Sequence, residues 1–228
     1  MTSTTKTGNP RQGPHAGVRI FARGTRPDEA AAAVILIHGR GANAPDILSL
    51  ADPLGGKTVA YVAPEATGNV WYPERFLVPT AANEPHLSSA LGVVEDLAKG
   101  LVEAGIPYER LAIAGFSQGA CLALEFAARH PRRYGAVIGF SGGLIGSDAE
   151  IEGRDGDLEG TPVFLGCSDV DFHIPVERVH ASARILSALG GAVTERIYPG
   201  MGHTINDDEI AFAAAMIARL EGATPGAT

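Results

Sequence analysis

The sequence predicts an α/β fold: a mostly parallel central sheet with helices on both faces and no large lid domain. Three observations carry this. Short, continuous runs of Val, Ile, Leu and Ala recur along the chain. Segments with helical spacing separate them. The 228 residues, 45% of them hydrophobic, suffice for one core. A strand that is apolar throughout is buried on both faces, and a sheet of such strands needs helices above and below it.

The opening stretch MTSTTKTGNPRQGPHAG has no apolar core of the kind a signal peptide carries. Its Thr, Gly and Pro content predicts a disordered tail over residues 1–16. A single domain is expected over residues 17–222, followed by a short tail over residues 223–228. Within the domain, AAAVILIHG, KTVAYVAP, RLAIAGF, YGAVIGF, TPVFLGC and VTERIYPG read as strands. Between the second and third, PHLSSALGVVEDLAKGLVEAG has Leu87, Leu91, Val94, Ala98 and Leu101 near helical spacing and closes on Gly105. QGACLALEFAARHP contains no Gly or Pro between Gly119 and Pro131, and so reads as a helix. PVERVHASARILSALGG opens on Pro175 and closes on two glycines. The last helix follows Asn206, whose side chain suits an N-cap, with Ile210, Ala214 and Ile217 as its buried stripe. The longest irregular stretches run from Pro64 to His86 and from Gly142 to Gly160. Such loops often shape sites.

A formal net charge of −8 and the absence of a Lys/Arg cluster exclude a nucleic-acid-binding reading. No apolar run is long enough to span a bilayer, and a soluble, cytoplasmic protein is expected. Cys121 and Cys167 are too few for a disulfide framework and fall in apolar contexts that suit buried free thiols.

Gly-x-Ser-x-Gly occurs twice, in AGFSQGA and in IGFSGGL, so the spacing alone does not select a serine. Context does. Ser117 stands between an apolar run and an unbroken helical stretch, the strand–turn–helix arrangement of a nucleophile elbow. Gly115 and Gly119 remove side chains where strand and helix crowd together. The helix N-terminus adds a positive partial charge beside the serine. Ser141 is followed by GGLIGSDAEIEGRDGD, which breaks on glycines before any helix can start.

A serine hydroxyl needs a base, and the base needs an orienting carboxylate. After an elbow the chain order is serine, acid, histidine. TPVFLGC leads into SDVDFHIP, which offers Asp169 and Asp171; VTERIYPG leads into MGHTIND, which offers His203. The other histidines fit less well: His15 lies in the tail, His38 precedes the serine, His86 and His130 sit at helix ends, His180 is inside a helix, and His173 follows the wrong strand. An oxyanion hole would draw one amide from Gln118 and a second from the glycine-rich loop ILIHGRGANAPD, where Arg40 is the natural donor through its main chain. Asp169, Asp171, His173 and His203 are also residue types that ligate metals, but no metal and no organic cofactor are expected.

These residues resemble the phospholipase/carboxylesterase family of α/β-hydrolases, which includes acyl-protein thioesterases and small bacterial carboxylesterases. The matching pieces are LIHGRGAN, WYPERF, GFSQGA, the Asp-x-x-x-Pro of DFHIP, and GMGH, and they span nearly all the chain beyond the N-terminal tail. The resemblance implies an α/β-hydrolase fold without a lid, a triad of Ser117, Asp171 and His203, and oxyanion donors Arg40 and Gln118. It selects Asp171 over Asp169 because Asp171 stands four residues before Pro175. It also places Trp71, of the aromatics Trp71, Tyr72 and Phe76, near the serine as the wall of an acyl pocket. Acyl-protein thioesterases typically carry Leu at the position of Arg40, so a short- to medium-chain acyl ester is the expected small-molecule substrate. Thioesterase or lysophospholipase activity on the same triad is the first alternative, ahead of a metal-dependent hydrolase or a non-catalytic binding protein, and members of such families often pair as homodimers.

Overall fold

The computed structural model describes residues 12–222. Most of the N-terminal tail expected from sequence, residues 1–11, and all of the expected C-terminal tail, residues 223–228, lie outside that range. Residues 12–16 lie within it and correct the expected tail boundary: the His15 side chain is buried.

The six apolar runs form strands β2 (Ala32–Ile37), β3 (Val59–Pro64), β4 (Leu111–Phe116), β5 (Ala136–Phe140), β6 (Pro162–Ser168) and β7 (Ala192–Tyr198). A further strand precedes them: β1 (Ile20–Gly24) pairs antiparallel with β3 at the edge of the sheet, while every other pairing is parallel. Sequence reading misses β1 because most of its residues are exposed and it lacks an apolar run. In space the order is β1-β3-β2-β4-β5-β6-β7.

Each residue of β2 and β3 is buried, as their composition requires. One face of the sheet packs on α3 (His86–Glu103), α4 (Gln118–Arg129), α5 (Asp148–Glu152) and α6 (Val176–Ala188). The other packs on α1 (Ala44–Leu48), α2 (Ala51–Leu54) and α7 (Asp207–Gly222). Asn206 caps α7 as its residue type suggests: its Oδ1 accepts from the Glu209 amide at 2.9 Å, and Glu209 Oε2 accepts from the Asn206 amide at 2.9 Å. Among the described residues no separate lid domain is present, and no helix is long and apolar enough to cross a membrane.

This strand order positions the site. The chain runs outward from β2 to β3, then returns across β2 to β4 and continues the other way. The connections after β2 and β4 therefore diverge at a switch point, and a crevice opens at the C-terminal strand ends between them. The residues following β2, β4, β6 and β7 all emerge at that edge.

Candidate active site

Ser117 sits where β4 turns into α4, with φ +56° and ψ −119°. A non-glycine residue in that region costs on the order of 1–3 kcal/mol and persists only where its surroundings hold it. The flanking glycines show what holds it. A Cβ on Gly119 would lie 2.1 Å from the Ile37 carbonyl oxygen, and one on Gly115 would lie 2.4 Å from the Gly119 backbone. Helix and strand cross too closely for any side chain there. Ser141, at the end of β5, also has a positive φ of 52°. It is fully buried, no helix starts beside it, and its hydroxyl points to the Thr204 carbonyl at 3.4 Å. The second serine thus packs beneath the loop that carries His203.

The turns after β4, β6 and β7 bring Ser117, Asp171 and His203 into one hydrogen-bonded chain. His203 Nε2 lies 2.9 Å from Ser117 Oγ, and His203 Nδ1 lies 2.6 Å from Asp171 Oδ2. The carboxylate accepts at Nδ1, so the imidazole proton sits there and the Nε2 lone pair faces the serine hydroxyl. Asp171 is buried, and its other oxygen accepts from the amides of His173 at 2.8 Å and Ile174 at 3.1 Å. The ring of His203 is held between Phe116, 4.9 Å away, and His173, 4.7 Å away. Asp169 does something else: its Oδ1 accepts from the Gly200 amide at 2.7 Å, tying the β7 loop to the β6 loop. His173 contributes its amide and its ring edge rather than a ligand atom. Among the described residues no three His, Cys, Asp or Glu side chains converge as a metal site would require.

Arg40 and Gln118 stand on either side of the switch point. Gln118 is the first residue of α4, so its amide has no carbonyl of its own helix to bond. The loop after β2 approaches the elbow at van der Waals distance: a Cβ on Gly39 would sit 3.4 Å from Ser117 Cβ. Both side chains grip the segment after β3, a role sequence reading did not foresee. Gln118 Oε1 accepts from the Trp71 amide at 2.9 Å and its Nε2 donates to the Tyr72 carbonyl at 2.8 Å. Arg40 Nη2 donates to the carbonyls of Tyr72 at 2.7 Å and Glu74 at 2.9 Å.

Trp71 does not wall the cleft, contrary to expectation. Its side chain is fully buried, its indole N–H donates to the His38 carbonyl at 2.9 Å, and its ring packs against His15 and His38. A buried indole needs an acceptor for its N–H, and the carbonyl just beyond β2 supplies one. Phe76 and Ile174 provide the apolar lining instead. His15 and His38, dismissed as bases from sequence, are structural: His38 Nε2 accepts from the Ala66 amide and His15 Nδ1 from the Thr67 amide. Burial lowers both imidazoles from their ordinary range. The only sequence signal is their position beside glycines, in GPHAG and IHGRG.

The resulting cleft encloses about 430 Å³, and Ser117, His203, Gly39, Arg40, Phe76 and His173 are among the residues that line it. Half-buried Ser117 is reachable from it. The arrangement can accept a carbonyl compound next to a hydroxyl whose proton has an imidazole acceptor.

Comparison with known proteins agrees with this fold. The profile of the Phospholipase/Carboxylesterase family matches residues 24–220. A solved phospholipase/carboxylesterase from Dyadobacter fermentans superposes with a TM-score of 0.86 at 42% identity, covering 91% of this chain and 99% of that one. The esterase PE8 superposes at 0.75 and 26% identity, covering 89% and 99%. Among curated relatives, acyl-protein thioesterase 1 of Eremothecium gossypii is 36% identical over 135 residues, 56% of this chain. A probable carboxylesterase of Oryza sativa subsp. japonica is 29% identical over 133 residues, 58% of this chain. The matches span 57% of the length of each of these two curated relatives.

Proposed function

The chain belongs to the phospholipase/carboxylesterase family, and from that premise we propose that it is a serine esterase cleaving short- to medium-chain acyl esters through Ser117, His203 and Asp171. The observation that carries this is the unbroken hydrogen-bond chain from Ser117 Oγ through the imidazole to a buried carboxylate whose remaining oxygen is satisfied by two amides.

Ser117 Oγ attacks the ester carbonyl as its proton passes to His203 Nε2, and a tetrahedral oxyanion forms. The amides of Gln118 and Arg40 receive that charge; each such donor supplies on the order of a hundredfold to a thousandfold in rate. The C–O bond to the alcohol breaks, the alkoxide takes the proton from His203, and an acyl-serine remains. Water then attacks the acyl-enzyme, gives its proton to His203, and the acid departs as Ser117 recovers its hydrogen. Asp171 holds the imidazole in the tautomer these steps need and stabilises its transient positive charge.

A cleft of about 430 Å³, with Phe76 and Ile174 in its lining, suits a modest acyl chain. Purified protein is expected to release p-nitrophenol from p-nitrophenyl butyrate. Ser117→Ala should lower kcat/KM by roughly 10⁴-fold or more, whereas Ser141→Ala should retain most of the activity. Equal loss in both variants, with both folded by circular dichroism, would overturn the assignment. A series of oxygen esters and thioesters of graded chain length compares the esterase reading with the thioesterase alternative.

A further inference from the structure

We propose that the cleft selects acyl esters that carry a second, anionic group, a carboxylate in its simplest form, recognised by Arg75 together with the guanidinium of Arg40. The inference rests on the esterase reading above and adds a substrate class to it.

The Arg40 guanidinium is held in place by two main-chain carbonyls, those of Tyr72 and Glu74. Carbonyls fix its position but carry no formal charge, so its positive charge is left uncompensated at the wall of the cleft. Arg75 follows on the same segment and also lines the cleft. Neither arginine makes an ion pair with any described carboxylate. Elsewhere in the chain arginines do pair with acids: Arg19 with Glu65, Arg23 with Asp52, Arg184 with Glu152 and Arg196 with Asp208. His173 adds an imidazole to the lining, and Glu74 is the one acid there. A chain of net charge −8 repels anions over most of its surface, whereas the lining of this cleft, which includes Ser117, sets two arginines against one acid. A guanidinium offers a planar fork that matches a carboxylate with two parallel hydrogen bonds. One that is already immobilised loses little further freedom on binding. Phe76 and Ile174 can contact the apolar part of such a molecule.

The test compares two matched substrate pairs at low ionic strength. Mono(p-nitrophenyl) adipate against p-nitrophenyl hexanoate puts the carboxylate on the acyl side; para-(hexanoyloxy)phenylacetate against its primary amide puts it on the alcohol side. The wild-type protein is expected to favour the anionic member of at least one pair by about tenfold in kcat/KM, the scale of one charge-assisted hydrogen bond. Arg75→Gln should lower that ratio by about tenfold, Arg75→Lys should keep part of it, and Arg75→Glu should reverse it. Arg184→Gln, paired away from the cleft, should leave the ratio unmoved. Added salt should compress the wild-type ratio. A ratio near one for both pairs, or a preference that survives both Arg75→Gln and Arg75→Glu in folded protein, overturns the anion subsite while leaving the esterase reading intact. Failure of the wild-type protein to exceed the Ser117→Ala background on every substrate, neutral ones included, overturns the esterase reading and the subsite with it.

Discussion

Asp169 and Asp171 stand two residues apart on one loop, and their partners separate them. Asp171 gives one oxygen to His203 and the other to two amides, whereas Asp169 holds the Gly200 amide. Asp171→Asn is expected to lower kcat/KM by about 10⁴-fold, because an amide can present its N–H to Nδ1 and favour the wrong tautomer. Asp169→Asn retains an acceptor for Gly200 and should stay within about threefold of the wild type in the same assay. A second buried acid, Glu209, matters for stability. Its Oε1 has no hydrogen-bond partner among the described residues and lies where a Cβ on Gly166 would sit 2.2 Å away. Burial pushes its carboxyl up to about 7, against the opposing pull of the Asn206 amide. The folded value lies above the unfolded one, near 4.5. Its contribution to stability is therefore fully present below about pH 4.5 and lost as pH rises to about 7. Glu209→Gln keeps an acceptor for the Asn206 amide and cannot ionise. It should be more stable than the wild type at pH 8, by on the order of 2–3 kcal/mol, with no advantage near pH 4.5. Urea unfolding at the two pH values measures the difference, and equal curves at both would refute the ionisation argument.

The elbow is an element-scale device: β4, Ser117 and α4 work only if strand and helix meet at glycine. Gly119→Ala forces a Cβ to 2.1 Å from the Ile37 carbonyl, and backbone cannot yield as a flexible side chain would. We expect a destabilisation of about 3 kcal/mol or more, read as a lowered urea midpoint or loss of soluble protein. Gly100 offers the contrast. It lies exposed within α3, and a Cβ there would meet nothing within 4 Å, so Gly100→Ala should raise stability by roughly 0.5–1 kcal/mol through helix propensity alone. The two substitutions are chemically identical, and packing alone gives them opposite signs. Elements were legible in the sequence where a local period marks them. β2 to β7 and α3, α4, α6 and α7 stand where apolar runs and helical spacing put them. β1 was not legible, because an exposed edge strand has no such run.

Across the whole molecule, His15 and His38 stitch the N-terminal segment, the end of β2 and the loop after β3 together around Trp71. Each ring accepts a main-chain N–H, so a second ring proton would point at an existing donor. Burial is the main cause that lowers both imidazoles. A folded value below the unfolded value of about 6.5 means this contribution is fully present above pH 6.5 and is lost as pH falls through the lowered folded values. Unfolding free energy measured in the Glu209→Gln background, which removes the opposing carboxyl, should decline as pH is lowered from 6.5 to 5. His15→Gln should flatten part of that decline. An unchanged slope would show that the imidazole is not the group responsible.

The sequence by itself determined the α/β class, the positions of the buried strands and long helices, and the strand–turn–helix context that sets Ser117 apart from Ser141. Those features are written in neighbouring residues, through apolar period, helix-breaking glycines and turn chemistry. Only the tertiary structure decided that Trp71 is buried behind the cleft, that His15 belongs to the core and that Arg40 is anchored to the segment after β3. The partners involved are 32 to 56 residues apart in the chain. Which of them meet depends on strand order and on how tightly the layers pack, and no local pattern encodes either.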